Sequence, residues 1–125
     1  MKIVLFDCDC VDMRTHTLHP TNGVEFIPVS NHPNSLPRCP KGLRIGKTAP
    51  TFKNSSDFLL IYLLTKRLTK MSRSRRGGEQ HEITIVTKDR ALIAAIHMVA
   101  KLSNARCYSY PRLQDLEREF YGQQF

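Results

Sequence analysis

Residues 2–12 read KIVLFDCDCVD: four apolar residues, Ile3, Val4, Leu5 and Phe6, and then Asp7, Asp9 and Asp12 within six positions. A short continuous run of aliphatic and aromatic residues is what a parallel strand buried on both faces needs. The acids at its end repel one another unless a cation or a proton joins them. In a chain with a formal charge of +8 and eleven acidic residues, that grouping marks the end of the first strand as a candidate site.

VEFIPV at 24–29 and ITIVT at 83–87 have the same strand character, with Pro28 pointing to an edge or a strand end. ARCYSY at 105–110 is a further strand. Between them, NSSDFLLIYLLTKRLTK at 54–70 reads as a helix opened by Asn54 or Ser55, with Asp57 in its first turn and cations in its last. Its first half is apolar on every side, so Phe58, Tyr62 and the leucines are expected in the core. RALIAAIHMVAKL at 90–102 and RLQDLEREF at 112–120 are further helices. Apolar strands alternating with helices give an α/β fold, a parallel β-sheet flanked by helices on both faces. The 125 residues suit one domain, 1–125. Within it, the Pro/Gly-rich basic segment 30–53 is expected to be a surface loop with little regular structure, and 71–81 a basic flexible loop.

Composition narrows the function classes. Hydrophobic residues are 41% and charged residues 24%, and no apolar run reaches the roughly 20 residues that span a bilayer, so a soluble chain with no membrane partner is expected. The opening apolar run is broken at Asp7, too soon for a signal-peptide core, and Cys8, Cys10, Cys39 and Cys107 do not form a disulfide framework; both point to the cytoplasm. Nineteen Lys and Arg favour an acidic partner, of which nucleic acid is the commonest. Residues 26–56 hold no acid but carry Arg38, Lys41, Arg44, Lys47 and Lys53, and TKRLTKMSRSRR at 65–76 adds six cations. Asp57 lies between these two basic tracts.

Ligands of such folds bind beyond the carboxyl ends of the strands. Asp7 ends the first strand and Asp89 follows ITIVT, so neighbouring strands would bring them into one crevice, with Asp57 reaching it from the head of the intervening helix. Carboxylate-only ligation suits Mg²⁺ or Mn²⁺. Structural roles compete for two of the three: Asp57 favours a helix dipole and pairs with Asn54 as a cap, and Asp89 is placed to cap the helix that begins at Arg90. Asp7, directly after a buried parallel strand, is poorly placed unless it caps a turn or binds something. A second metal reading, zinc on Cys8, Cys10, His16 and His19, has suitable ligand types in an unusual spacing; the alternative is buried thiols and loop histidines.

IVLFD at Asp7, KNSSDFLLIYLL at Asp57 and ITIVTKDRAL at Asp89 together resemble the PIN-like domain family, metal-dependent ribonucleases that include the NYN branch. The resemblance spans residues 2–110 apart from the 30–50 loop, and order and spacing carry it. It implies a Rossmann-like three-layer sandwich and an endoribonuclease that hydrolyses RNA, single-stranded or structured, with Mg²⁺ or Mn²⁺. Asp7, Asp57 and Asp89 would be catalytic metal ligands with Asp9 as an additional one, and Thr87 and Lys88 would lie near the scissile phosphate. Lys53, Arg67, Arg73, Arg75, Arg76 and Lys88 are the candidates for holding the RNA backbone, and a homodimer would complete the substrate channel. Two positions depart from the family pattern: Cys10 stands where many NYN members have Asn, and Ala91 where a second acid is common. Those departures fit an alternative, a non-catalytic RNA-binding or regulatory module. FDCDCV is also similar to the D-x-D-x-[TV] motif of haloacid dehalogenase-like phosphatases, although the 38 residues after Thr87 lack that group's lysine and paired acids.

Overall fold

The computed structural model describes residues 1–74 and 80–119, without the side chains of 72–74 and 119. Residues 3–6 are wholly inaccessible to solvent, because the strand they form, β1 (Lys2–Asp7), lies in the middle of the sheet. It is followed by β2 (Val24–Ser30), β3 (Lys47–Thr48), α1 (Ser55–Ser74), β4 (Glu82–Val86), α2 (Arg90–Leu102), β5 (Arg106–Tyr110) and α3 (Leu113–Glu119). The five strands are all parallel, in the order β3-β2-β1-β4-β5, which makes this an α/β fold.

Side-chain alternation along β1 splits the core. Ile3 and Leu5 join Ile83, Ile85, the α1 stripe Leu60, Leu64, Leu68 and Met71, and the α2 residues Leu92, Ile96 and Ala100. Val4 and Phe6 face the other way, with Met13, Leu18, Leu36, Val86 and Leu113 and Leu116 of α3. Each large aliphatic side chain so buried is worth about 1.5–3 kcal/mol of transfer free energy. Helical residues therefore feed both clusters, but the connection from β1 to β2 contains no helix. Met13 and Leu18 of that connection cover the sheet directly.

Three expectations need correction. The 30–53 segment is more ordered than its prolines and glycines indicate: it holds a 3-10 turn at Pro33–Ser35 and the short strand β3, and it buries Leu36 and Ala49. Backbone bonds tie it to the β1–β2 connection, Leu18 N–H to Arg38 O at 2.8 Å and Arg38 N–H to His16 O at 3.0 Å. Gly46 makes the approach of β3 to β2 feasible, because its φ is +116° and a Cβ there would lie 2.5 Å from the carbonyl oxygen of Pro28. Pro28 pairs with β1 just before β3 begins opposite Val29, so its missing N–H falls where the sheet has no outer partner. Secondly, α1 runs to Ser74, four residues past the expected end, so 71–74 of the anticipated 71–81 loop are helical, and its residues 75–79 lie outside the described residues. Thirdly, α1 is not buried all round: Phe58 and Tyr62 are each 59% exposed. Only the stripe facing the sheet is covered, and an apolar composition does not specify which sides of a helix have neighbours. Among the described residues, no helix is long and apolar enough to cross a membrane.

Candidate functional site

The chain leaves β1 for β2 on one side and later adds β4 on the other, so β1 and β4 flank the point where the strand order reverses. Ligand crevices of parallel α/β sheets form there, outside the carboxyl ends of the strands. A cleft of about 510 Å³ occupies that position, lined by Asp7, Asp9, Cys10, Asn31, Asn54, Ser56, Asp57, Lys88 and Asp89. Asp7, Asp9, Asp57 and Asp89 thus line one cleft.

Each acid is held differently. Asp7, 4% exposed at the end of β1, accepts a 2.7 Å hydrogen bond from the Thr87 hydroxyl, which in turn accepts the Asp89 backbone N–H at 3.1 Å. Thr87 is itself only 1% exposed, so it stands behind the acids as a positioning group and not at a phosphate. Asp89 caps α2, its Oδ1 accepting from Ala91 N–H at 3.0 Å and Leu92 N–H at 3.2 Å. The capping role and the place in the cleft thus coexist. Asp57 stands in the first turn of α1, which follows Asn54 in the left-handed region at φ 63°, a conformation asparagine tolerates better than most residues.

Asp9 is the anchor of a polar network that the sequence did not reveal. One oxygen accepts from Ser30 Oγ at 2.7 Å and Asn31 N–H at 2.8 Å, and the other accepts from Ser56 Oγ. The buried Ser55 hydroxyl bonds Asn31 Oδ1 at 2.7 Å and the Pro50 carbonyl. These bonds fasten the end of β2 and the head of α1 to the loop after β1. Asp12, the third acid of the opening stretch, points elsewhere and pairs with Arg14 at 2.6 Å.

The electrostatics separate the acids as well. Burial, then the charges of Asp7 and Asp89, a hydrogen bond with Asp89 and the charge of Asp9 push the Asp57 carboxyl up to about 6. Burial also raises Asp7, against the Thr87 hydrogen bond that favours its ionised form. For Asp9, hydrogen bonds from Ser56, Asn31 and Ser30 outweigh desolvation and hold it below the ordinary carboxylate range. A carboxylate so stabilised is a poor proton donor, and proton donation is what the phosphatase-like motif would require of it.

The oxygen-only donor set and its crowded negative charge fit a hard divalent cation. Among the described residues, no three His, Cys, Asp or Glu side chains already converge on one ligating position. Burial and the charges of Asp7 and Asp89 favour the protonated form of Asp57, so ligation by all three acids would require Asp57 to lose its proton. The zinc reading fares worse. Cys8 is buried, its thiol raised far above the ordinary range by that burial, while Cys10 is exposed and accepts the Lys88 N–H at 3.3 Å.

Of the candidate RNA-binding cations, Lys88 is on the cleft and exposed. Lys53 is exposed in the turn that leads into α1. Arg67 has another partner, the half-buried carboxylate of Glu25, and ties α1 to β2. The side chain of Arg73, together with Arg75 and Arg76, lies outside the described residues. Ser30, Asn31, Asn54 and Ser56 belong to the site without having been expected there. The one usable signal was Asn54 and the two serines at a helix start, and it reads equally well as capping. No family model, curated protein or solved structure matches the chain.

Proposed function

We propose that this chain is a metal-dependent endoribonuclease of PIN-like type. The observation that carries the reading is the crowding of Asp7, Asp57 and Asp89 at the switch point of a parallel sheet, where burial and then the neighbouring charges raise the Asp57 carboxyl to about 6 in a chain of net charge +8. Titratable groups perturbed by specific neighbours in a cleft are functional candidates, because a stable fold gains nothing from such repulsion.

Asp7, Asp57 and Asp89 would hold Mg²⁺ or Mn²⁺, with Asp9 fixing the wall behind them. An ion bound there would supply an activated water and neutralise charge developing on a phosphodiester oxygen. The chain's own residues do the positioning. Thr87 locks the orientation of Asp7, the N-terminus of α2 locks Asp89, and the Lys88 backbone contact to Cys10 sets the rim of the cleft. From that rim the exposed Lys88 ammonium is placed to hold a substrate phosphate, and Lys53 adds charge at the head of α1. Direct attack by water needs no covalent enzyme intermediate.

The test is cleavage of a labelled mixed-sequence RNA in Mg²⁺, Mn²⁺ or EDTA by the wild type, Asp57→Asn and Asp89→Asn. Asparagine keeps the α2 cap, so Asp89→Asn removes charge without removing the helix start. Metal-dependent cutting lost in both variants supports the proposal. RNA binding without cutting under any condition would replace it with the non-catalytic module, and hydrolysis of a small chromogenic phosphate ester in place of RNA would replace it with the phosphatase.

A further inference from the structure

The outer face of α1 carries a row of side chains that the cleft does not use. Phe58, Tyr62, Lys66 and Lys70 follow one another at intervals of four, which places them on one ridge of the helix. Phe58 and Tyr62 are each 59% exposed, and Phe52, in the turn just before α1, is 56% exposed. The Lys66 ammonium lies 5.9 Å from the centroid of the Tyr62 ring, within cation–π range. At its N-terminal end the ridge approaches the acidic cleft, which Asn54, just before α1, and Asp57 line. Forwards, Lys66 and Lys70 line a second groove, of about 520 Å³, along the outer edge of β2. From Phe58 to Lys70 the ridge is about 18 Å long at 1.5 Å per residue.

We infer that this ridge is a binding track for single-stranded nucleic acid, with unpaired bases stacking on Phe58 and Tyr62 and the backbone running from the acidic cleft towards Lys66 and Lys70. The inference rests on the nucleic-acid reading of the chain and adds where the strand lies and in what form. Two observations select this occupant. The charge is complementary: Asp57, at the cleft, is the only acid in α1, while Lys66 and Lys70 follow the aromatics, in a chain of net charge +8. The ridge is also continuous with the site that would act on a phosphodiester. Exposed aromatics interleaved with cations are how single strands are gripped without reading their sequence, since every base has a π-face. A paired helix hides those faces, so duplex RNA could engage only the cations.

The experiment is anisotropy of a fluorescein-labelled 12-nucleotide RNA, its duplex, and an abasic strand of the same length, all in EDTA. Wild type, Phe58→Ala, Tyr62→Ala and the double variant are compared; both side chains are largely exposed, and circular dichroism confirms that the fold is kept. The track predicts that wild type prefers the single strand to the duplex. It predicts about tenfold weaker binding for each substitution, the usual cost of losing one stacked base, with no change for the abasic strand. Equal binding by wild type and variants, or a preference for duplex, overturns the track and leaves the nuclease reading standing. Wild type that binds neither RNA at low salt removes both. A concentration-dependent dimer abolished by Tyr62→Ala would assign the ridge to a second copy of the chain and overturn the track.

Discussion

Asp57 should destabilise its own fold at neutral pH. Its carboxyl is raised from an ordinary 3.8 to about 6 by burial and by Asp7 and Asp89. Between these values the folded chain keeps a proton that the unfolded chain has released, so stability falls as pH rises and the loss is complete above about 6. Two pH units would amount to about 3 kcal/mol in a dry site. Asp57 is only partly buried, and screening by solvent brings the expectation to about 1 kcal/mol. For a chain of this size that is a shift of about 4 °C in Tm. The assay is urea unfolding in EDTA at pH 4 and pH 7.5, for wild type and Asp57→Asn. The variant should be the more stable at pH 7.5, with the advantage shrinking towards pH 4. Saturating Mn²⁺ at pH 7.5 should reverse the order, since an ion at 100 times its Kd adds about 2.7 kcal/mol to the form that binds it. A wild type as stable as Asp57→Asn at pH 7.5 without metal would refute the crowding argument.

Further consequences follow from the network behind the cleft. Thr87→Val removes the hydroxyl between Asp7 and the Asp89 N–H, and should lower stability by about 1–3 kcal/mol and weaken Mn²⁺ binding measured by calorimetry; an unchanged Mn²⁺ affinity would deny Thr87 its positioning role. Asp9→Ala takes the acceptor from the buried Ser30 hydroxyl and the Asn31 N–H and leaves Ser56 only Asn31 Oδ1, at 3.1 Å, and urea unfolding should report a loss of about 1–3 kcal/mol. A stability change near zero would mean that Asp9 does not anchor β2 and α1. Gly46→Ala forces a Cβ towards the Pro28 carbonyl at positive φ, costing about 1–3 kcal/mol. Amide exchange at Ala49, whose N–H bonds Ser30 O at 2.8 Å, should accelerate in that variant, and unaltered exchange would argue against the role given to Gly46.

Sequence patterning exposed the α/β alternation because residues 3–6 are an unbroken apolar run, and 83–86 one interrupted only by the β-branched Thr84, each of a length that suits a strand buried on both faces. The convergence of Asp7, Asp57 and Asp89 was legible for a related reason: strand ends and helix starts on one side of a parallel sheet point to one place. The network around Asp9 was not legible. Its partners Ser30 and Ser56 lie 21 and 47 residues away in sequence, and short polar residues near a turn or a helix start look the same whether they cap locally or reach across the fold. The strand β3 was hidden because its two residues are exposed and its pairing depends on the clearance Gly46 gives to Pro28. The exposure of Phe58 and Tyr62 was missed because apolar residues on all sides of a helix suggest full burial, whereas α1 is covered fully only along the row from Leu60 to Met71 and partly at Leu59, Ile61 and Leu63.

The central claim is that Asp7, Asp57 and Asp89 share a divalent ion. Crystals grown or soaked in MnCl₂ above pH 7, where Asp57 is ionised, allow Mn²⁺ to be located by its anomalous scattering. The account predicts a peak in the cleft within about 2.0–2.3 Å of oxygens from at least two of these three aspartates, and no such peak in Asp57→Asn. A wild-type cleft without a peak, or a peak held by Cys10 or the histidines instead, would contradict it.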